Sequence, residues 1–386
     1  MFNIFFNIYF FSCAKKEETA GNASTQGSTV DLLEDTDIDN PTDNSTDIPT
    51  KFFVVAGYGG TIATSSDNGT TWTDRWRYGT GDIRQTGIFR SLAYGNGTAV
   101  AVGDTGKIAS SQDMITWKLQ DSGTSNKLEK VIYDNGTFVA VGQEMITSSD
   151  GITWIKRKIA YCYDVTYGNG TFVAVGNTGV IYTSSDNGAN WDNQTSGVNG
   201  NLYTVTFDNG TFIAAGDAIS TSKDNGSNWV SQTLSGVTNN FRDITYGNGV
   251  FVAVGDYAES TSADNGSNWV TNSSGRLIYA VTHGFNRLSS INNGSVFVAA
   301  GSKISTSTNN GSDWVIHTLQ GVDTLYDITY GDGVFVAVGN DAKIFTSSDG
   351  TSWNPSTLTR PVETDEYFSM PDLRDVIFIN KEETEN

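Results

Sequence analysis

Carboxylates are the side chains whose recurrence in this chain could do chemistry. Asp67, Asp113, Asp150, Asp186, Asp224, Asp264 and Asp349 each stand a few residues before a tryptophan, as in Ser185-Asp186-Asn187-Gly188-Ala189-Asn190-Trp191. Two such carboxylates held roughly 5 to 10 Å apart, with arginines nearby, would suit acid–base hydrolysis of a glycoside. Their sameness from copy to copy argues for one structural task repeated. Asn-Gly and Asp-Gly pairs tolerate positive φ at tight hairpin turns. The preceding carboxylate can accept the turn's exposed N–H groups, at roughly 1.5 to 3 kcal/mol for each charge-assisted bond. The indole then folds back over the turn, removing about 150 to 250 Å² from water. Asp113 is followed by Met114 instead of glycine, and Asn309 replaces the aspartate, so these two turns are expected to be the loosest.

Composition excludes several other chemistries. With 43 acidic against 23 basic side chains in 386 residues and a net charge of −20, the chain lacks a basic face able to release counterions from a phosphate backbone. Nucleic acid is therefore not an expected partner. Two cysteines, Cys13 and Cys162, cannot form a disulfide framework, and two histidines, His283 and His317, cannot form a His-rich metal site. No cofactor or metal is expected, and Cys162 reads as a buried thiol.

The element pattern that must position these residues is a repeat. Trp72, Trp117, Trp154, Trp191, Trp229, Trp269, Trp314 and Trp353 are separated by 45, 37, 37, 38, 40, 45 and 39 residues. Upstream of each lies a second phrase, typified by Tyr167-Gly168-Asn169-Gly170-Thr171-Phe172-Val173-Ala174-Val175-Gly176, which reads as strand, turn, strand. Its Val-Ala-Val run is apolar on both faces, as a strand packed between two sheets must be. Four short antiparallel strands per period of about 40 residues predict an all-β fold, a β-propeller of four-stranded blades. Eight blades are expected. The first copy, from Phe52, lacks its opening strand, and Leu373-Arg374-Asp375-Val376-Ile377-Phe378 matches Phe241-Arg242-Asp243-Ile244-Thr245-Tyr246 in register. The C-terminus should therefore close the ring beside Phe52 to Gly57, removing open sheet edges.

These phrases resemble the Asp-box propellers, whose pattern Ser/Thr-x-Asp-x-Gly-x-x-Trp occurs in sialidases, xyloglucanases, photosystem II assembly factors and sorting receptors. The resemblance covers Phe52 to about Leu358 and the closing strand, and it implies the fold more than any one activity. Sialidases carry an Arg-Ile-Pro segment absent here, and Glu129, Glu144 and Glu259 are the few glutamates of the blades. A non-catalytic binding role is the expected one, with a glycoside hydrolase or an assembly scaffold as alternatives.

Binding residues are sought where the copies differ. The pair opening the first strand reads Arg90-Ser91, Glu129-Lys130, Tyr163-Asp164, Tyr203-Thr204, Arg242-Asp243, Tyr279-Ala280, Tyr326-Asp327 and Arg374-Asp375. Tyr and Arg are enriched in recognition hot spots, which makes Arg90, Tyr163, Tyr203, Arg242, Tyr279, Tyr326 and Arg374 candidates. The alternative is packing between blades, with the aspartates capping neighbouring backbone. Two longer connections, Thr73 to Phe89 and Thr271 to Asn293, add Arg75, Trp76 and Arg77, and Arg276, His283, Phe285 and Arg287. A protein or glycan ligand on a monomeric ring is expected.

The chain outside the repeat divides simply. Residues 1–13 form an apolar run too short to span a bilayer, ending at Ser12-Cys13 before Lys15 and Lys16. This resembles a bacterial lipoprotein signal, which implies a lipid on Cys13 and attachment to the cell envelope; a cleaved secretory signal or short anchor would fit too. Residues 14–50 read as an acidic polar tether, 51–358 as the propeller, 359–371 as a connection, 372–380 as the closing strand and 381–386 as an acidic tail.

Overall fold

The computed structural model describes residues 49–75, 87–232, 234, 240–286, 289, 291–359 and 370–384. Among them the strands form seven sheets, five of four strands, one of five and one of six. This corrects the expectation of eight four-stranded blades. The reason lies in the short link after Trp269: Val270–Phe285 is one continuous strand that pairs first with Val250–Ser262, through Ala258↔Ser273 and Asp256↔Leu277, and then with Ser295–Gly301. Two sequence copies thereby share one six-stranded sheet. The stretch read as a long connection from Thr271 is thus largely strand, and within it Arg276 is buried against Glu259 while His283 bonds Ser295 Oγ at 2.8 Å.

The sheets stand side by side as a β-propeller, each burying its Val-Ala-Val strand against both neighbours. Val173 and Val175 pack on the sheet of Leu202 and Phe212, whereas Phe172 and Ala174 pack on that of Val139 and Val141. All six residues of Thr171–Gly176 are buried. Alternation is lost here because both faces are interior.

Closure joins the two ends of the described chain in the first sheet. Leu373–Asn380 pairs antiparallel with Lys51–Gly57 from Lys51↔Asn380 to Gly57↔Leu373. The outer edge of the same sheet takes Thr357–Thr359 as an extra strand, parallel to Thr71–Asp74.

The aspartate turns form as their chemistry dictates. Ser184 Oγ donates to Asp186 Oδ1 at 2.8 Å, and the amide of Asn190 donates to the same oxygen at 2.9 Å. Asn187 and Gly188 take φ of 58° and 73°, and Trp191 Nε1 donates to the Gly188 carbonyl at 2.9 Å. These bonds, led by the amide of Asn190, hold the Asp186 carboxyl at about 2. The turn also spaces the sheets, since a Cβ on Gly188 would meet Thr147 Cγ2 at 2.8 Å on the preceding sheet. Of the two turns expected to be loosest, that of Asn309 keeps the pattern, with Asp313 N donating to Asn309 Oδ1 at 3.0 Å and Trp314 Nε1 to Gly311 O at 3.1 Å. Met114 takes φ of 66° while fully buried, and Trp117 Nε1 is left without a hydrogen-bond partner, as is Trp154 Nε1. Replacing Asp186 by Ala is expected to cost only about 1 kcal/mol because the carboxylate is exposed to water. Urea denaturation should show a midpoint shift without a change of slope.

Candidate functional site

In each strand lining the axis a β-bulge sits at the same place. The register skips one residue between Phe89 and Ser91, Leu128 and Lys130, Cys162 and Asp164, and Leu202 and Thr204. It skips again between Phe241 and Asp243, Ile278 and Ala280, and Leu325 and Asp327, and Arg374 lies at the corresponding irregularity between Leu373 and Asp375. A bulge leaves its extra residue unpaired and re-aims the side chain. Those extra residues are Arg90, Glu129, Tyr163, Tyr203, Arg242, Tyr279, Tyr326 and Arg374. The variable pairs of the sequence are therefore bulge pairs, one residue turned outward at the mouth and the next held within.

The outward set converges. Arg90, Glu129, Tyr203, Arg242, Tyr279, Tyr326 and Arg374 line one open cavity of about 280 Å³. Tyr163 joins it by stacking on Tyr203, ring centroids 5.3 Å apart, and Tyr279 lies 5.8 Å from Tyr326. The Arg242 guanidinium covers the Tyr203 ring at 5.0 Å and forms two bonds to Asp256, of 3.2 and 2.9 Å. Arg374 lies 3.8 Å from the Tyr326 centroid and 4.6 Å from that of Tyr58, and Arg90 bonds Asp104 at 2.6 Å. Arg242 and Arg374 thus have their charge balanced at one edge, by Asp256 and Asp372, and a flat face left over an aromatic, whereas Arg90 is held between Asp104 and Glu129, a preorganised lining. Arg75 lies elsewhere, its Nε bonded to Thr64 Oγ1 at 2.7 Å beside the outer strand of the first sheet. Trp76, Arg77, Arg287 and Cys13 lie outside the described residues.

The inward set does structural work. Asp164 Oδ1 accepts from Val165 N at 2.9 Å and Oδ2 from Val205 N of the next sheet at 2.8 Å. Asp243 accepts from Ile244 N and Val281 N, both at 2.8 Å; Asp327 accepts from Val376 N at 2.7 Å and Asp375 from Leu92 N at 2.5 Å. Each carboxylate staples one axial strand to the next. Burial pushes Asp164 and Asp327 up and Asp243 to about 6. Amid them stands Lys130, whose ammonium is held charged, against its burial, by Asp375, Asp164, Asp327 and Asp243. Sequence reasoning missed Lys130; the available signal was a single basic residue at a position otherwise held by Ser, Thr, Asp or Ala.

The axial carboxylates are engaged with backbone and with one another. Asp327 and Asp375 influence each other's charge directly, and each holds a backbone amide of the next axial strand. Cys162 is buried, its thiol pushed up to about 12 by desolvation.

No family model and no curated protein matches the chain. Among solved structures it is similar to the computationally designed Ika8 protein, with a TM-score of 0.56 and 10% identity over 76% of this chain and 96% of that one. YCF48 from Cyanidioschyzon merolae gives a TM-score of 0.49 at 15% identity over 68% and 96%. YCF48 bound to D1 peptide gives 0.46 at 18% over 60% and 81%. At these identities the likeness is one of fold, the β-propeller.

Proposed function

We propose that this chain is a non-catalytic binding ring whose axial mouth takes part of a partner protein. The observation that supports this reading most is that eight bulge positions direct four tyrosines, three arginines and a glutamate to one end of the axis, seven of them lining a single cavity. Tyrosine gives large contact area for little lost side-chain freedom, and the pairing of each arginine with a carboxylate already restrains it and limits the cost of desolvation on docking. A polypeptide suits this mixture, since its backbone amides can meet the arginine edges and phenol hydroxyls while its side chains meet the rings. Presentation at the cell envelope through a lipid on Cys13 is part of the proposal.

The test is a crosslinking capture from membranes of the source cells. With p-benzoylphenylalanine at Tyr279, a discrete protein adduct is expected, and Tyr203→Ala with Tyr326→Ala should reduce it at least tenfold while the melting curve stays in place. An adduct that survives both substitutions, or a mouth that captures only glycans from an array, would reject the reading.

A further inference from the structure

Among the described residues, three consecutive basic side chains flanked by exposed isoleucines lie on the outer rim of the sheet built from Leu128–Asp134, Thr137–Gly142, Glu144–Ser148 and Ile155–Ile159. The last strand, Ile155-Lys156-Arg157-Lys158-Ile159, is the sheet's outer edge and has five residues, where the outer strands Lys118–Gln120, Asp192–Gln194, Val230–Gln232 and Val315–His317 have three. Its length follows from the short link after Trp154, which carries the chain in extended form almost to Cys162. Ile155 is 52% exposed and Ile159 79%, beside Tyr161 at 53%. Ile152 and Lys118 line an adjoining cavity of about 470 Å³ toward the preceding sheet.

Lysines on a sheet edge ordinarily deter pairing. Here exposed isoleucines flank the basic residues, but exposed apolar residues such as Val315 and Ile316 occur on other outer strands too, so what sets this edge apart is its length and its run of three basic side chains. The fold itself shows that an outer edge can take another strand, since Thr357–Thr359 adds to Thr71–Asp74 in the first sheet. Half of an edge strand's amides and carbonyls point away from its sheet and can pair with an extended chain. The side chains of Lys156 and Arg157 remain exposed, although Lys156 lies 3.8 Å from Glu144 and Arg157 Nε bonds Thr147 at 2.8 Å. We infer that the Ile155–Ile159 edge docks an extended acidic segment of a partner protein as an added strand. The bulge at Arg157 leaves Lys156 and Ile159 on one face and Arg157 and Ile155 on the other, so the segment presents a carboxylate and an apolar residue to each face. This surface is separate from the axial mouth and independent of the function proposed for it.

The full chain would be titrated, by fluorescence anisotropy, into a labelled decapeptide of repeating Val-Val-Glu-Glu, which puts carboxylates on both faces of an extended strand, into the same peptide N-methylated at alternate residues, and into phosphatidylglycerol vesicles. Saturable binding to the first peptide is expected, weakened at least tenfold by N-methylation and by Lys156→Glu with Arg157→Glu. The N-methylated probe reads strand pairing without altering the protein, so the result does not depend on the variant folding. No binding, binding indifferent to N-methylation, or binding to vesicles alone would overturn the inference.

Discussion

Removal of Asp372 through Asn386 is expected to lower Tm by more than about 10 °C and to produce a species prone to association. The deleted segment buries Leu373, Val376 and Ile379 at 0%, 3% and 1% exposure. At about 1.5 to 3 kcal/mol for each such side chain, apolar burial alone amounts to roughly 5 to 9 kcal/mol, and about 2 °C of Tm accompanies each kcal/mol in a domain of this size. The ladder to Lys51–Gly57 and the Asp375 staple to Leu92 go with it. Phe378, which lies 5.0 Å from Phe53, is lost as well. What remains is Lys51–Gly57 as an unpaired inner edge, a template for pairing with another chain. Differential scanning calorimetry with light scattering checks both parts. A truncated chain that melts with the parent and stays monomeric would show that the ring does not depend on this closure.

The closing strand was legible in the sequence because it repeats the phrase at Phe241 to Tyr246, and matching phrases fold alike when the same burial pattern surrounds them. The mouth was partly legible for the opposite reason. A structural position tends to keep its residue from copy to copy, so the alternation of Arg, Tyr and Glu marked positions 90, 129, 163, 203, 242, 279, 326 and 374 as free from a shared packing demand. That the neighbouring aspartates cap backbone was one of the readings open to the sequence; which residue of each pair turns outward follows only from the bulge, which turns two neighbours in ways that strict strand alternation does not. The number of sheets was not legible. Whether Val270 to Phe285 breaks into two strands or continues as one depends on pairing with Asp256 to Thr261, a tertiary contact that leaves no periodic mark. Phe285 itself ends that strand at 46% exposure, although its type alone suggested recognition or packing equally.

Replacing Lys130 by Met should reveal how the axial carboxylates are balanced. The folded pKa of Lys130 is raised, so its stabilisation is fully present below the ordinary lysine value and is lost only at strongly alkaline pH. Between pH 5 and 8 the titrating partners are aspartates. Asp243, raised to about 6, and Asp164 and Asp327, also raised, bind protons in the folded state that the unfolded chain releases, so their cost to stability is greatest above the folded pKa and falls as pH drops through it. The aspartates of the turns behave oppositely: Asp186 and Asp264, held at about 2, stabilise above the unfolded value and lose that contribution as pH falls from about 4 toward 2. The parent should accordingly be most stable near pH 5. Removing one partner of a fully buried charge cluster typically costs about 3 to 5 kcal/mol, and because Lys130, Asp164, Asp243 and Asp327 are only partly buried the lower end of that range applies. The variant should therefore lose about 5 to 10 °C in Tm at pH 7.5 and recover more than half of that deficit at pH 5, where its carboxylates can take up protons. Asp243→Asn in the variant background should recover part of the loss at pH 7.5 by removing one of the opposing charges. A deficit of equal size at both pH values would mean that Lys130 acts through its packing alone, and the staples would then need no counter-charge.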